Sequence, residues 1–180
     1  MSRSFLTNIH LYIAALFAPV LVMMACSGGL YLLGVKGNVN ETAIELPADT
    51  EFNFKSPTVE QDLADLLAAA GEPHAFEYTK SRGSSLITRP TSRQSYKLSQ
   101  SGAALQLTRL TPDFQASLIE LHKGHGPQVF RTFQKLMAAG LVVVLVSGVW
   151  LGLSSRRLRV PTLLTSAVGL ALFVVFGFVL

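Results

Sequence analysis

Residues 136–180 read LMAAGLVVVLVSGVWLGL, then SSRRLR, then VPTLLTSAVGLALFVVFGFVL. The first block, Leu136–Leu153, runs for 18 residues without a charge and the last, Val160–Leu180, for 21. Each approaches the ~20 helical residues that cross a hydrocarbon core about 30 Å thick. Only six residues join them, three of them arginine, so the pattern predicts two membrane helices in a tight basic hairpin. Working outward, Leu11–Val35 is a further 25-residue uncharged run, separated from the hairpin by residues 36–135. The chain is therefore expected to hold three spans and one exposed domain inserted between the first two.

Composition agrees with that division. Of 180 residues, 49% are hydrophobic and only 14% charged, against roughly 25% charged in soluble domains. Mean hydropathy is +0.41, which excludes a disordered chain, and the single cysteine excludes a disulfide-stapled scaffold or a thiolate metal cluster within one chain. A pI of about 9.5 invites a nucleic-acid reading, which fails once the charges are placed. All eleven acids fall between Glu41 and Glu120, and the wider stretch of residues 36–128 holds nine Lys or Arg, for a net of −2. Arg3, Arg156, Arg157 and Arg159 flank apolar runs with no acidic company. Positive residues in short loops mark the cytoplasmic side, so the N-terminus is expected inside and the acidic domain and C-terminus outside. Tyr12, Tyr31 and Trp150 near span ends fit interfacial aromatic belts.

The first run also has features of a signal peptide, and Met24-Ala25-Cys26 resembles a poor lipoprotein box. Leu30-Tyr31-Leu32-Leu33 continues the apolar stretch past Cys26, however, which favours an uncleaved anchor. Small residues suit helix packing in lipid: Gly148 and Gly152 with Ser147, Ala14 and Ala18 with Gly28 and Gly29, and Ser166, Gly169 and Gly177 in the third span. Packing within the chain and self-association both use such faces.

The boundaries expected are a cytoplasmic N-terminus over residues 1–10, spans over 11–35, 128–153 and 160–180, an extracytoplasmic domain with linker over 36–127, and a cytoplasmic loop over 154–159. Within the domain, Thr58–Ala70 carries Val59, Leu63, Leu66 and Leu67 at helical spacing after Pro57, and Gly71 stops it. Strands are expected where His74, Phe76 and Tyr78 alternate with polar neighbours, over Ser84–Thr88, over Arg93–Ser99 and over Ala103–Arg109. An antiparallel meander covered by one helix is the simplest assembly, since a sheet with one apolar face needs a second layer. Residues 38–56, rich in Asn, Glu, Thr and Pro, read as a linker. The fold class is thus a helical membrane protein with a small α+β exposed domain.

Pro112–Leu121 forms another short helical pattern that ends at His122, with Gly124, Gly126 and Pro127 breaking the chain before the second span. His122 and His125 then lie where the exposed domain meets the membrane surface. Arg131 and Lys135 follow one turn apart on one helix face. Cations on the outer rim run against the charge bias, so a local use is expected: anchoring to lipid phosphates, or binding an anionic group such as haem propionates, a quinone headgroup or an anionic chelate. His10 lies at the opposite end of the first span.

Leu121-His122-Lys123-Gly124 leads into a helix that ends Ser147-Gly148-Val149-Trp150, and Ile9-His10 opens a helix that ends Ser27-Gly28-Gly29. These elements resemble the PepSY-associated transmembrane-helix family, and the exposed helix followed by strands is similar to a PepSY domain in order and size. The resemblance implies a multi-pass protein of a bacterial inner membrane. Some larger members are linked to reduction of ferric iron or siderophores through haems held by membrane histidines, and His10 and His122 fall at their ligand positions.

A helical first span is roughly 37 Å long, so His10 and His122 cannot share one iron. His122 and His125 are too close in one segment to occupy opposite sides of a haem. A haem b at a subunit interface, completed by a homodimer or another membrane subunit, remains open. So does a bare Cu, Fe or Zn ion held from one side by His122 and His125. With no phosphate loop, Gly-x-Ser-x-Gly element or His-Glu-x-x-His box, the chain is expected not to be an enzyme by itself. Three functions follow: an accessory subunit of a membrane redox or iron-handling system, with no nucleic-acid partner; a haem-bearing electron-transfer protein reducing ferric chelates; or, by likeness of PepSY domains to inhibitory propeptides, a regulator of an extracytoplasmic protease.

Overall fold

The computed structural model describes residues 3–47, 50–102 and 104–180. Three of its helices are long and apolar enough to cross a membrane: α1 (Arg3–Leu32), α4 (Gln128–Leu153), and α5 (Arg159–Val174) continued by a π-helical turn over Val175–Val179. Between α1 and α4 lie β1 (Val39–Ile44), α2 (Val59–Ala69), β2 (Tyr78–Ser81), β3 (Ser85–Arg89), β4 (Ser95–Ser101), β5 (Ala104–Pro112) and α3 (Phe114–His122). The chain divides into two compact units, one of residues Met1–Leu21 with Lys135–Leu180, the other of Val22–Gln134.

The helical unit exposes most of its apolar side chains, including Leu16, Leu145, Val146 and Phe176, as lipid-facing helices do. Its contacts form at small residues. Gly140 leaves room for the Phe17 ring and Gly152 for Thr162, and a Cβ at either glycine would clash.

In the other unit the five strands form one antiparallel sheet in the order β1-β5-β4-β3-β2. Leu86, Tyr96, Leu98 and Leu107 point from the sheet into a core closed by Leu63, Leu66 and Leu67 of α2. That helix ends as its sequence demands: Gly71 takes φ +75°, and the Gly71 and Glu72 amides return to the carbonyls of Ala68 and Leu67. The opposite sheet face carries Ile87, Arg89, Ser95 and Leu110, with α3 beside it.

The meander and its covering helix correspond to the sequence reading, with two differences. Residues 39–44, read as linker, form edge strand β1, which pairs Val39 with Pro112 through Ile44 with Leu107. The strand expected from His74 begins only at Tyr78. Phe76 still packs on the core, but from irregular backbone. The expected start of the last strand at Ala103 lies outside the described residues.

Candidate functional site

Asp113 caps the start of α3, its carboxylate accepting from the amides of Ala116 and Asn38, each at 2.7 Å. Those bonds hold its pKa below the usual carboxylate range. Gly37 lets the chain pass against this cap at φ +71°, where a Cβ would strike the Ala116 amide. At the far end of α3, Gly124 adopts φ +76°. The amides of Gly124 and His125 fold back to the carbonyls of Leu121 and Glu120. His122 is thus the last helical residue, while His125 lies beyond a sharp reversal.

His122 Nδ1 lies 2.9 Å from the Met24 carbonyl and 3.3 Å from Ser27 Oγ of α1. A carbonyl only accepts, so Nδ1 carries a proton, and in the neutral ring the lone pair then lies on Nε2. Ser27 spends its own hydrogen on Met24 O at 3.0 Å. The ring reaches this seat because residue 28 is glycine, where a Cβ would sit 3.0 Å from His122 Cε1. His122 borders a cavity of about 340 Å³ shared with Tyr31 and Ile119.

The helical unit contains a second seat of the same design. His10 Nδ1 lies 2.9 Å from Ser147 Oγ, which donates to the Val143 carbonyl at 2.6 Å. Ser147 therefore accepts from Nδ1–H, and His10 Nε2 is again the free nitrogen. Gly148 gives the ring its room, a Cβ there falling 3.3 Å from His10 Cε1. Ser147 also borders a groove of about 840 Å³ lined by Arg3, Val146 and Trp150.

His125 is held differently. Its Nδ1 donates to Glu120 at 2.7 Å, and Lys123 and Thr91 bond the same carboxylate at 2.6 and 2.5 Å. Thr91 accepts from the buried Arg89 at 2.6 Å, which stands 3.6 Å from Glu120. Burial raises the Glu120 pKa, but the bonds from Lys123, Thr91 and His125 outweigh it and bring the carboxyl down to about 2. Arg131 bonds Tyr78 Oη at 3.3 Å and Gln128 Oε1 at 3.1 Å, with its guanidinium 5.7 Å from the Tyr78 ring centre. Lys135 is exposed in the helical unit. The structure thus gives His122 and His125 different Nδ1 partners and engages Arg131 with the sheet unit.

Residues 7–177 match the profile described as the PepSY-associated TM region. The chain belongs to the PepSY-associated TM family. Neither a curated relative nor a solved structure matches it. In this PepSY-associated protein, the residues that sequence reading did not assign to a site are Ser27, Ser147 and the Met24 carbonyl, together with Glu120, Thr91 and Arg89. The repeated Ser-Gly dipeptides signal the two seats, because each follows an apolar run and each stands under a histidine. Nothing in the sequence signals the Glu120 cluster, whose members lie 29 positions apart between Thr91 and Glu120.

Proposed function

We propose that this protein is a membrane subunit of a redox or metal-handling system, and that each seat lends one histidine to a centre completed by a second subunit. One observation carries the reading: at both seats Nδ1 is committed as a donor, which fixes the ring and leaves Nε2 as a ligand nitrogen. Metal-binding histidines are oriented in this way by a carbonyl or other acceptor behind the ring. Each seat holds a single imidazole whose Nε2 would serve as one ligand of a haem b, and among the described residues no three His, Cys, Asp or Glu side chains converge on a metal site. A bound haem supplies one-electron transfer. The chain's own part is to hold the imidazole still, present Nε2 and exclude side chains at residues 28 and 148.

The basic hairpin loop and Arg3 support a cytoplasmic N-terminus, and the family likeness supports a bacterial inner membrane. On that orientation the sheet unit is a PepSY-like extracytoplasmic domain, and His122 belongs to the outer side. Exposed Lys135 remains available to an anionic group, as Arg131 does beyond its bonds to Tyr78 and Gln128. A second reading, a metal ion taken by His122 and His125, has in its favour that His125 Nδ1 also donates, to Glu120, leaving its Nε2 free.

The test is the absorption spectrum and metal content of the protein purified with its native partners from haem-replete cells. A Soret band that is lost in His122→Ala or His10→Ala, while the partners still co-purify, is the expected result. Metal without a Soret band, lost in both His122→Ala and His125→Ala, selects the second reading. A complex with neither haem nor metal removes both.

A further inference from the structure

The sheet face turned toward α3 holds a cleft of about 470 Å³, within the ~300–1,000 Å³ range of small-molecule sites. Its lining is chemically divided. Ile87, Leu110 and Ile119 supply an apolar wall, while Arg89, Ser95 and Lys36 supply polar groups. Arg89 and Ser95 are 7% and 1% exposed. Arg89 Nε and Ser95 Oγ have no hydrogen-bond partner among the described residues, although buried polar groups are nearly always paired. The β3–β4 register, which pairs Ser85 with Ser99 and Ile87 with Lys97, runs toward these two residues, so they share one face of neighbouring strands.

We propose that this cleft binds a small monocarboxylate with a short apolar tail. The Arg89 guanidinium uses Nη1 for Thr91 and keeps its Nε edge, the edge that takes a carboxylate side-on. The Ser95 hydroxyl is free to donate to the same group. Three cations of the lining, Lys36, Arg89 and Lys123, stand against two carboxylates, Glu41 and Glu120. One negative charge balances that set, whereas a second would meet the two glutamates. The apolar wall accepts the tail. Nε and Oγ lie beneath the cleft floor, and the carboxylate reaches them by a small rearrangement of the lining, in which Lys36, Glu41 and Lys123 are exposed. The proposal is independent of the histidine seats, because it uses neither His10 nor His122.

Isothermal titration of the full chain in detergent micelles, at matched ionic strength, with sodium butyrate, succinate and inorganic phosphate as probes, tests it. Butyrate is expected to give saturable heat, and succinate and phosphate weaker binding or none. Arg89→Lys keeps the charge but loses the side-on edge, and is expected to weaken butyrate about tenfold or more. Ser95→Ala should weaken it severalfold, and Ile87→Phe should fill the cleft and abolish binding. The last two leave the Arg89–Glu120 contact intact, so they decide the matter even if Arg89→Lys fails to fold. Absence of saturable butyrate heat overturns the proposal, as does equal affinity in Ser95→Ala and Ile87→Phe, or tighter binding of phosphate or succinate.

Discussion

On one face of the sheet, Leu86, Tyr96, Leu98 and Leu107 are closed from solvent by the leucines of α2. On the other, Arg89 and Ser95 are buried as well, and Arg89 joins a polar network that runs through Thr91 to Glu120, Lys123 and His125. The Tyr96 hydroxyl of the first face is turned to its rim, where it donates to Glu72 at 2.6 Å and Arg109 bonds the same carboxylate at 2.8 Å. The Tyr96 bond is the main cause holding the Glu72 pKa down. The first face is built for burial alone. The second retains charges that a purely structural layer would lack, because a buried charge is costly unless paired.

The comparison breaks most sharply at the apolar face. Leu98→Ala removes a side chain with no exposure and should cost about 3 kcal/mol. Amide exchange of β4 in the full chain in detergent should then accelerate roughly a hundredfold, the factor that such a loss implies for a global or subglobal opening. A change below threefold would mean that α2 does not close this face.

Glu120→Gln tests the polar face, with an expected loss of about 2 kcal/mol, discounted for the solvent that reaches this partly exposed group. Its signature is in the pH dependence. The folded pKa of Glu120, about 2, lies below its ordinary value of 4.5, so the carboxylate's contribution is complete above pH 4.5 and is lost as pH falls through 2. Wild type and variant, compared at the same pH, should differ most above pH 4.5 and converge toward pH 2. Parallel curves would show that the network contributes packing rather than charge.

The smallest expected effect is at the cap. Asp113→Ala should speed exchange in α3 severalfold through loss of the cap, while β3 and β4 on the α2 side remain unchanged. Equal acceleration on both faces would mean that α3 and α2 do not open separately.

The same contrast explains what was legible in the sequence. The spans are marked by unbroken apolar runs, which lipid on all sides favours, and α2 and the strands of the meander by apolar residues at a period of helix or strand, because burial in one core selects for that period. Edge strand β1 is not marked. Five of its six residues are exposed, and its place is set by backbone pairing to β5 rather than by side-chain burial. Phe76 misled in the opposite way, since an apolar residue can reach the core from a loop as well as from a strand. In the candidate site, the histidines were recognisable as residue types, and the Ser-Gly dipeptides as small-residue packing, but their pairing was not. His122 meets Ser27 across 95 positions and His10 meets Ser147 across 137, distances over which no local spacing carries information. Arg89, Thr91 and Glu120 were equally silent, because a polar residue looks the same in sequence whether it is solvated or held in a buried network.

The glycines beneath the two imidazoles have a consequence for the family's history. A side chain at residue 28 competes with His122 for the same space, and one at residue 148 competes with His10. Each pair is therefore coupled: without the histidine its glycine loses this constraint, and a Cβ at the glycine requires the ring to shift by a few tenths of an ångström. Tracing which of the two pairs has decayed, and in what order, would show which seat each descendant still uses.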